Sequence, residues 1–486
     1  MLQRIKSLLL QNRGVKQTVV KNFFWLSFAQ IVTRIFRAII LIYAARAMGA
    51  DGYGVFSYAL GLAGFFTAFA DIGVTQIVTR EAAKKPEKRS EYFATAFWMK
   101  SILLLIAGAA IWLLAPHFSN VAAADILLPF VALLTISDGI QNYTVSYFRS
   151  EEKMQTEAAV VSTTNLSIMV LGFIALSFSS APQIFMYAYV GSSVVGTLLA
   201  VYILRHEFRH IIANTRKFLM KPIIQAALPI AFSSLFGVFM LNADYVVLGW
   251  IRTATEIGYY AAAQKIVQLL YVLPSIMATG IFPTISRLVH AGDHARVRSV
   301  TEKTMLAMLA VAVPITIGGI VLSAPLIDLI YGQAYAPATL ALQILMATLI
   351  FVFIGNVLGN LLFAYDKQKE TAIYVSIAAV LNVVLDLLLA PRFGIYGVSA
   401  GTLAVQFVYI TSMLKLTKKT NPIKIFPYLK KITAAAIVMG VLSWGLNAWH
   451  VNVILNVILS AGVYVGLLYA FKENLVQDIK GLIRAV

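Results

Sequence analysis

Four polar residues interrupt an apolar run near the start of the chain: Ser27, Gln30, Arg34 and Arg37. They follow one another at spacings of three, four and three, which puts all four on one face of a helix. A guanidinium binds phosphate through two parallel hydrogen bonds, most strongly away from water. A second stripe, Thr135, Asp138, Asn142 and Arg149, has similar spacing. Further polar groups stand inside apolar runs: Asp71; Asp244; Gln264, Lys265, Gln268 and Tyr271; Asn356 and Asn360; Asn382 and Asp386; Ser399, Thr402, Gln406 and Tyr409. Amides, hydroxyls and tyrosine rings suit sugars. A lining that adds Arg34, Arg37 and Lys265 suits an anionic substrate bearing phosphate and sugar. The residues expected to contact it are Gln30, Arg34, Arg37, Asp71, Asp138, Asn142, Lys265 and Gln268. A coupling ion or a gate would use Asp71, Asp244, Asn356 or Asp386.

Each assignment has a structural alternative. Arg34 and Arg37 could pair with Asp71 or Asp138 to hold helices together. Lys265 could snorkel to the outer interface, and Lys100 is expected to snorkel to the inner one. Asp244 and Asp386 stand near the outer ends of their runs, where they could cap or pair. The amides could serve as glue between helices. The asparagines of NYT at 142 and NLS at 165 match a glycosylation pattern but fall inside apolar runs, so the match is taken as chance.

Other chemistries are excluded by what the sequence lacks. It has no cysteine, hence no disulfide, thiolate nucleophile or sulfur-based metal site. Neither a GxxxxGK[ST] loop nor an HExxH pair occurs, and the six histidines lie mostly in loops. The chain is therefore not expected to be an enzyme or to carry a cofactor. Transport driven by Na+, H+ or membrane potential is favoured over ATP hydrolysis by this chain.

The elements that must position these residues are membrane spans. The 486 residues are 60% hydrophobic and only 12% charged, about half the charge of a soluble domain. A span needs roughly 20 apolar residues. Spans are expected near 19–47, 53–79, 92–115, 125–148, 157–179, 183–204, 222–250, 256–286, 300–322, 336–364, 370–390, 395–416, 427–446 and 451–471. The net charge of +18 tests this map. Of 39 Lys and Arg, 32 fall in the N-terminus, the tail and every second loop. The opposite loops hold Arg46, Arg252 and Arg392, and the spans hold Arg34, Arg37, Lys100 and Lys265. That alternation predicts fourteen spans with both termini cytoplasmic, in a cell (plasma or inner) membrane. The basic residues thus read as topology signals facing anionic lipid, not as a nucleic-acid surface. Leu2, Ile5, Leu8 and Leu9 could form one face of a short helix lying on the membrane.

The chain also looks duplicated. GADGYGVFSYAL, Gly49 to Leu60, matches RTATEIGYYAAAQKI, Arg252 to Ile266, with Gly54 aligned to Gly258. FRSEEKMQTEA from Phe148 matches FAYDKQKETAI from Phe363. A six-helix repeat keeps its orientation, so the halves are expected to be parallel lobes around a central cavity. The expected organisation is a basic N-terminal segment 1–18, an N-lobe 19–205, a linker 206–221, a C-lobe 222–417, two extra spans within 418–471, and a cytoplasmic tail 472–486.

Three stretches, KNFFWLSFAQIVTRIF from Lys21, GADGYGVFSYALGLAGFFTAFADIGVTQIVTREAA from Gly49 and NADYVVLGWIRTATEIGYYAAAQKI from Asn242, carry a resemblance. They resemble the polysaccharide biosynthesis and oligosaccharide flippase family (Wzx-like), within the multidrug/oligosaccharidyl-lipid/polysaccharide exporter superfamily. The resemblance extends over essentially the whole chain in span count and loop pattern. It implies two six-helix lobes, a cationic cavity and two extra helices. It implies flipping of polyprenyl-(pyro)phosphate-linked oligosaccharide from the inner to the outer leaflet by alternating access, for surface polysaccharide synthesis. A coupling ion, a glycan polymerase and glycosyltransferases are the implied partners beside membrane lipids. Family cavity Arg and Asp residues in the first two spans would correspond to Arg34, Arg37 and Asp71. The extra helices would offer a groove for the lipid tail. The competing readings are a multidrug efflux antiporter of the same superfamily, for which the first span is too basic, and a lipid II flippase, whose early-loop motif is not seen. A major-facilitator carrier would need GxxxDRxGRR where this chain has TREAAKKPEKR. A scaffold without transport activity would have little use for charges at mid-membrane.

Overall fold

The computed structural model describes residues 14–424 and 426–471. The expected N-terminal surface helix and the whole of the expected cytoplasmic tail, 472–486, lie outside the described residues. Every regular element among the described residues is helical. In chain order these are α1 (Val15–Ala70), α2 (Val74–Lys84), α3 (Arg89–Leu113), α4 (Ala122–Asp125), α5 (Leu128–Ser150), α6 (Met154–Phe178), α7 (Pro182–Ala213) and α8 (Met220–Ile251). Then follow α9 (Ala254–Leu270), α10 (Val272–His290), α11 (His294–Val321), α12 (Ser323–Tyr331), α13 (Ala338–Ala364), α14 (Gln368–Thr420), α15 (Phe426–Ala448) and α16 (Val453–Ala470). Eleven helices among the described residues are long and apolar enough to cross a membrane. The chain is an all-α, multi-pass membrane protein.

Two junctions between expected spans contain no loop. α1 runs through Gly49 and α14 through Gly394, each bent at that one residue, where φ is 70° and 58°. Glycine takes such a conformation without a side-chain clash, so the chain turns without leaving the helix ladder for long. Two other spans expected to be continuous are interrupted. The span at 53–79 loses helical geometry between Ala70 and Val74. The span at 256–286 breaks at Tyr271, three residues before Pro274. Proline has no N–H, and its ring clashes with the carbonyl four residues back, here that of Leu270.

Packing divides the chain into two compact units, Met1–Gly258 and Tyr259–Val486. In the first, α1 packs on α6 and α8, α3 on α5, and α7 on α5 and α6. The unit therefore includes α8 as well as the six spans before it. Close glycine contacts explain why α8 lies so near α1. A Cβ on Gly61 would stand 2.6 Å from Tyr245 Cβ, and one on Gly249 would stand 1.9 Å from Tyr58. The start of α9 joins the same unit at a tighter crossing. Gly54 faces the Ala254 carbonyl and Gly258 faces that of Ala50, a reciprocal contact between the two aligned segments.

In the second unit α11 packs on α13 and α15, α13 on α14, and α15 on α16. Asp293 caps α11 by accepting from the Arg296 N–H at 3.0 Å, and Asn452 caps α16 by accepting from Ile454 at 2.9 Å. The matched charged turns close alike. α5 and α13 each end with a left-handed residue, Glu152 at φ 58° and Asp366 at φ 57°. Each turn also has a bond back into the helix, Lys153 N–H to Phe148 O and Lys367 N–H to Leu362 O, both 2.9 Å.

Candidate functional site

The Arg34 stripe lies on its own face of α1. Phe24, Phe28, Ile31, Ile35 and Ile39 form a separate exposed row, and Ala29, Ile40 and Ala44 form the packed face. Gln30 and Arg37 are exposed and Arg34 is half-buried. Arg37 meets two other helices. Its guanidinium stands 5.9 Å from the Tyr189 ring centroid on α7 and feels the charge of Asp138 on α5. Ser193, one turn beyond Tyr189 on α7, donates to Asp138 Oδ1. Arg37 is thus held over a tyrosine face with a nearby counter-charge. Arg34 has no ion pair or hydrogen bond to its guanidinium among the described residues. Asn142, one turn along α5 from Asp138, is exposed. The structure therefore sets Arg37 over Tyr189 and near Asp138 and leaves the Arg34 guanidinium without a partner among the described residues.

Tyr189 and Ser193 were not among the expected site residues. Their four-residue spacing in a span that also carries Ser192 and Thr197 was the available signal. Thr197 and Ser137 share a 2.9 Å bond beside them, which ties α7 to α5.

Asp71 does not pair with either arginine. Its Oδ2 meets Lys100 Nζ at 2.9 Å, and its Oδ1 accepts from the Thr75 N–H at 3.2 Å. Lys100 is 3% exposed and does not snorkel to the interface as expected. The break in the span brings a carboxylate within its reach, and a paired ammonium has no need to seek water.

The remaining candidates are dispersed. Asp244 on α8 is buried. Lys265 donates to Gln268 Oε1 at 3.2 Å on the same face of α9. Asn356 donates to Val352 O within α13. Asp386 is wholly buried and accepts from Asn382 at 3.2 Å. Gly401, on the other limb of the bent α14, leaves room beside it, because a Cβ there would stand 3.1 Å from Asp386 Oδ1.

Charged residues tie together the turns of the first unit at the end expected to face the cytoplasm. Arg89 bonds Glu151 at 2.8 Å, Arg216 bonds Glu91 at 3.3 Å, and buried Lys21 donates to the Glu152 carbonyl at 3.3 Å. At the end of α2, burial would raise the Glu81 carboxyl, but hydrogen bonds from Lys84 and Arg80 outweigh it and hold the group below the usual range.

The second unit contains an apolar cavity of about 440 Å³. Pro314, Gly318, Met346, Met439, Ser443 and Tyr464 are among its walls, so α15 and α16 close one side of it. The polar atoms around it are satisfied elsewhere. Ser443 and Ser460 both donate to Asn456 Oδ1, at 2.9 and 3.0 Å, and Tyr464 donates to Ala310 O at 2.8 Å.

A family model described as polysaccharide biosynthesis protein matches residues 19–289, more than half of the chain. The chain belongs to that family. A second model, MatE, matches residues 229–388. Among curated relatives of the family member is a probable low-salt glycan biosynthesis flippase, Agl15, of Haloferax volcanii. It is 22% identical over 76% of this chain and 77% of its own length. A putative O-antigen transporter of Shigella flexneri is 22% identical over 78% of this chain and 93% of its own. The lipid II flippase MurJ of Bacillus subtilis is 23% identical over 82% and 81%. Among solved structures, a lipid II flippase MurJ in an inward closed conformation superposes with TM-score 0.74 at 17% identity, over 93% of this chain and 99% of that one. An inward-facing multidrug resistance MATE transporter gives 0.64 at 15%, over 82% and 98%. The fold is that two-lobed transporter fold.

Proposed function

We propose that this family member flips polyprenyl-(pyro)phosphate-linked oligosaccharide from the inner to the outer leaflet of the cell membrane, by alternating access. Arg34 carries the reading. It is a half-buried guanidinium within a span, without a protein partner among the described residues, one turn from an arginine that has partners. A cation kept there is costly unless an anion arrives to share it. Gln30, Asn142 and Tyr189 stand on the same three helices and supply groups suited to sugar. The relatives described as glycan flippase and O-antigen transporter support the substrate class.

The apolar cavity against α15 and α16 suits the lipid tail, which has no polar groups to satisfy. Reading each kinked helix as two crossings and adding α5 gives the fourteen spans expected from the sequence, arranged as six, six and two. Coupling to Na+ or H+ would use a carboxylate sheltered from water, and Asp244 and Asp386 are buried within their helices. A polymerase and glycosyltransferases would consume and supply the substrate.

The test is leaflet exchange in proteoliposomes with a fluorescent polyprenyl-pyrophosphate oligosaccharide. Wild-type protein flips it, and Arg34→Ala lowers the rate while remaining monodisperse. Full activity of Arg34→Ala would sink the phosphate-binding role. A second reading, lipid II as substrate, is favoured by the MurJ superposition. Lipid II flipped in preference to other polyprenyl-linked oligosaccharides would decide for it.

A further inference from the structure

The second expected span does not cross as one helix. Asp71, Ile72 and Gly73 are non-helical between Ala70 and Val74. Backbone groups freed inside a membrane must find partners within the protein. Here the Gly73 N–H turns back to Asp71 O at 2.7 Å, and Asp71 Oδ1 takes the Thr75 N–H that opens α2. An uncharged asparagine could make that cap as well. The charge of Asp71 answers a different group, Lys100 Nζ on α3, at 2.9 Å.

An ion pair with its ammonium buried and its carboxylate partly buried adds little stability over neutral groups of the same size, because desolvation offsets the attraction. The best-attested use of such a pair is to fix one register or one state of a switch. Two observations at the break bear on such a use. The break is tightly seated: Gly73 has φ 80°, and a Cβ on it would stand 3.0 Å from the Ala227 carbonyl and from Ile230 Cβ on α8. The seating is also incompletely satisfied, because Thr75 Oγ1 is buried with no hydrogen-bond partner among the described residues. A second arrangement in which that hydroxyl finds a partner would recover part of what this one forgoes.

We propose that Lys100 is a positioning residue of the flipping cycle. By holding Asp71 it latches the break in the span, and release of the latch lets α2 move as a body separate from α1. This rests on the flippase reading above, and the closing experiment keeps the two apart.

The chain has no cysteine, so Val74→Cys supplies a single thiol at a position that is fully buried beside the break. Its alkylation by a maleimide in proteoliposomes reports opening of the latch and does not depend on any substrate. Lys100→Met raises that alkylation rate about tenfold or more and lowers flipping by a similar factor, as expected when one partner of a buried pair is stranded. Lys100→Arg keeps the charge and stays near the parent in both readings. Because Lys100→Met strands Asp71 and can unfold the protein, Asp71→Asn/Lys100→Met removes both charges together. With the latch gone, the double variant folds, exposes the thiol and flips poorly. A double variant that keeps the thiol protected and flips like the parent overturns the proposal, since the pair would then be only structural. If the parent flips no lipid-linked oligosaccharide, the functional reading fails, while the alkylation rates still decide whether Lys100 is a latch.

Discussion

Adding one methyl group at Gly54 tests the closest helix crossing in the first unit. An alanine Cβ there would stand 1.7 Å from the Ala254 carbonyl oxygen and 2.9 Å from the Gly258 nitrogen. A carbon rests against a carbonyl oxygen at about 3.3 Å or more, so α1 and the first turn of α9 must separate by roughly 1.5 Å. A gap of about 1 Å already forfeits up to half of each contact's dispersion energy. Both obstructing atoms are backbone and cannot rotate away. The cost therefore falls at or above the upper end of the usual 1–3 kcal/mol for overpacking, about 3 kcal/mol. At roughly 2–4 °C per kcal/mol, the melting temperature in detergent drops by about 6–12 °C. Gly258→Ala meets the Ala50 carbonyl at 1.9 Å and has a similar effect. The double variant costs less than the two together, because the crossing has already opened. Gly237→Ala is the control: a Cβ there meets nothing within 4 Å, and alanine is the better helix former. Tryptophan fluorescence on heating, with size exclusion before and after, reads all four variants against wild type. Gly54→Ala melting with wild type, or Gly237→Ala melting as early as Gly54→Ala, would refute the crossing as the cause.

The two arginines of the first span should separate in the flipping assay. Arg34→Ala removes the available guanidinium and lowers affinity for the pyrophosphate carrier by about 10- to 100-fold, the worth of a charge-assisted hydrogen bond of about 1.5–3 kcal/mol. Arg37→Ala removes the cation seated over Tyr189 and near Asp138 and so lowers the melting temperature as well as the rate; equal melting temperatures for the two variants would contradict that seating. Gly318→Leu projects into the apolar cavity, where the nearest wall atom, Met439 Cε, is 3.6 Å from a Cβ. It should slow flipping of long-chain carriers more than short-chain ones without loss of folded protein, and equal slowing of both would argue against a tail site. Asn456→Ala removes the acceptor shared by Ser443 and Ser460 and should cost about 1–2 kcal/mol, read as an earlier melt; an unchanged melt would mean the two serines find other partners at once.

Much of the architecture was legible before any coordinates, because a membrane imposes a one-dimensional code. A span must be apolar for its full length, and a positive charge must stay on one side, so length and charge alternation locate most helices directly. The turn after Phe148 and the turn after Phe363 were recognisable as equivalents, and they fold alike. The interruptions were less legible. Pro274 was a local sign of the break at Tyr271, whereas nothing near Asp71 marks the break there except a glycine in a span that has several. The carboxylate at that break takes its counter-charge from Lys100, 29 residues away in sequence. Lys100 was expected to reach for the interface because the sequence shows only its depth, not its neighbour.

The sequence by itself determined that this chain is a helical membrane protein with charges kept inside its spans, and which side of the first helix carries them. Hydropathy and helical period are local properties, and local properties can be read in order along a chain. Only the tertiary structure decided which charges meet. Arg37 lies over Tyr189 and near Asp138, Asp71 takes Lys100, and Arg34 has no partner among the described residues. The physical reason is that a charge in a low-dielectric interior is governed by whatever lies within a few ångströms of it. Those neighbours come from other helices, brought there by packing that no spacing within one helix can reveal.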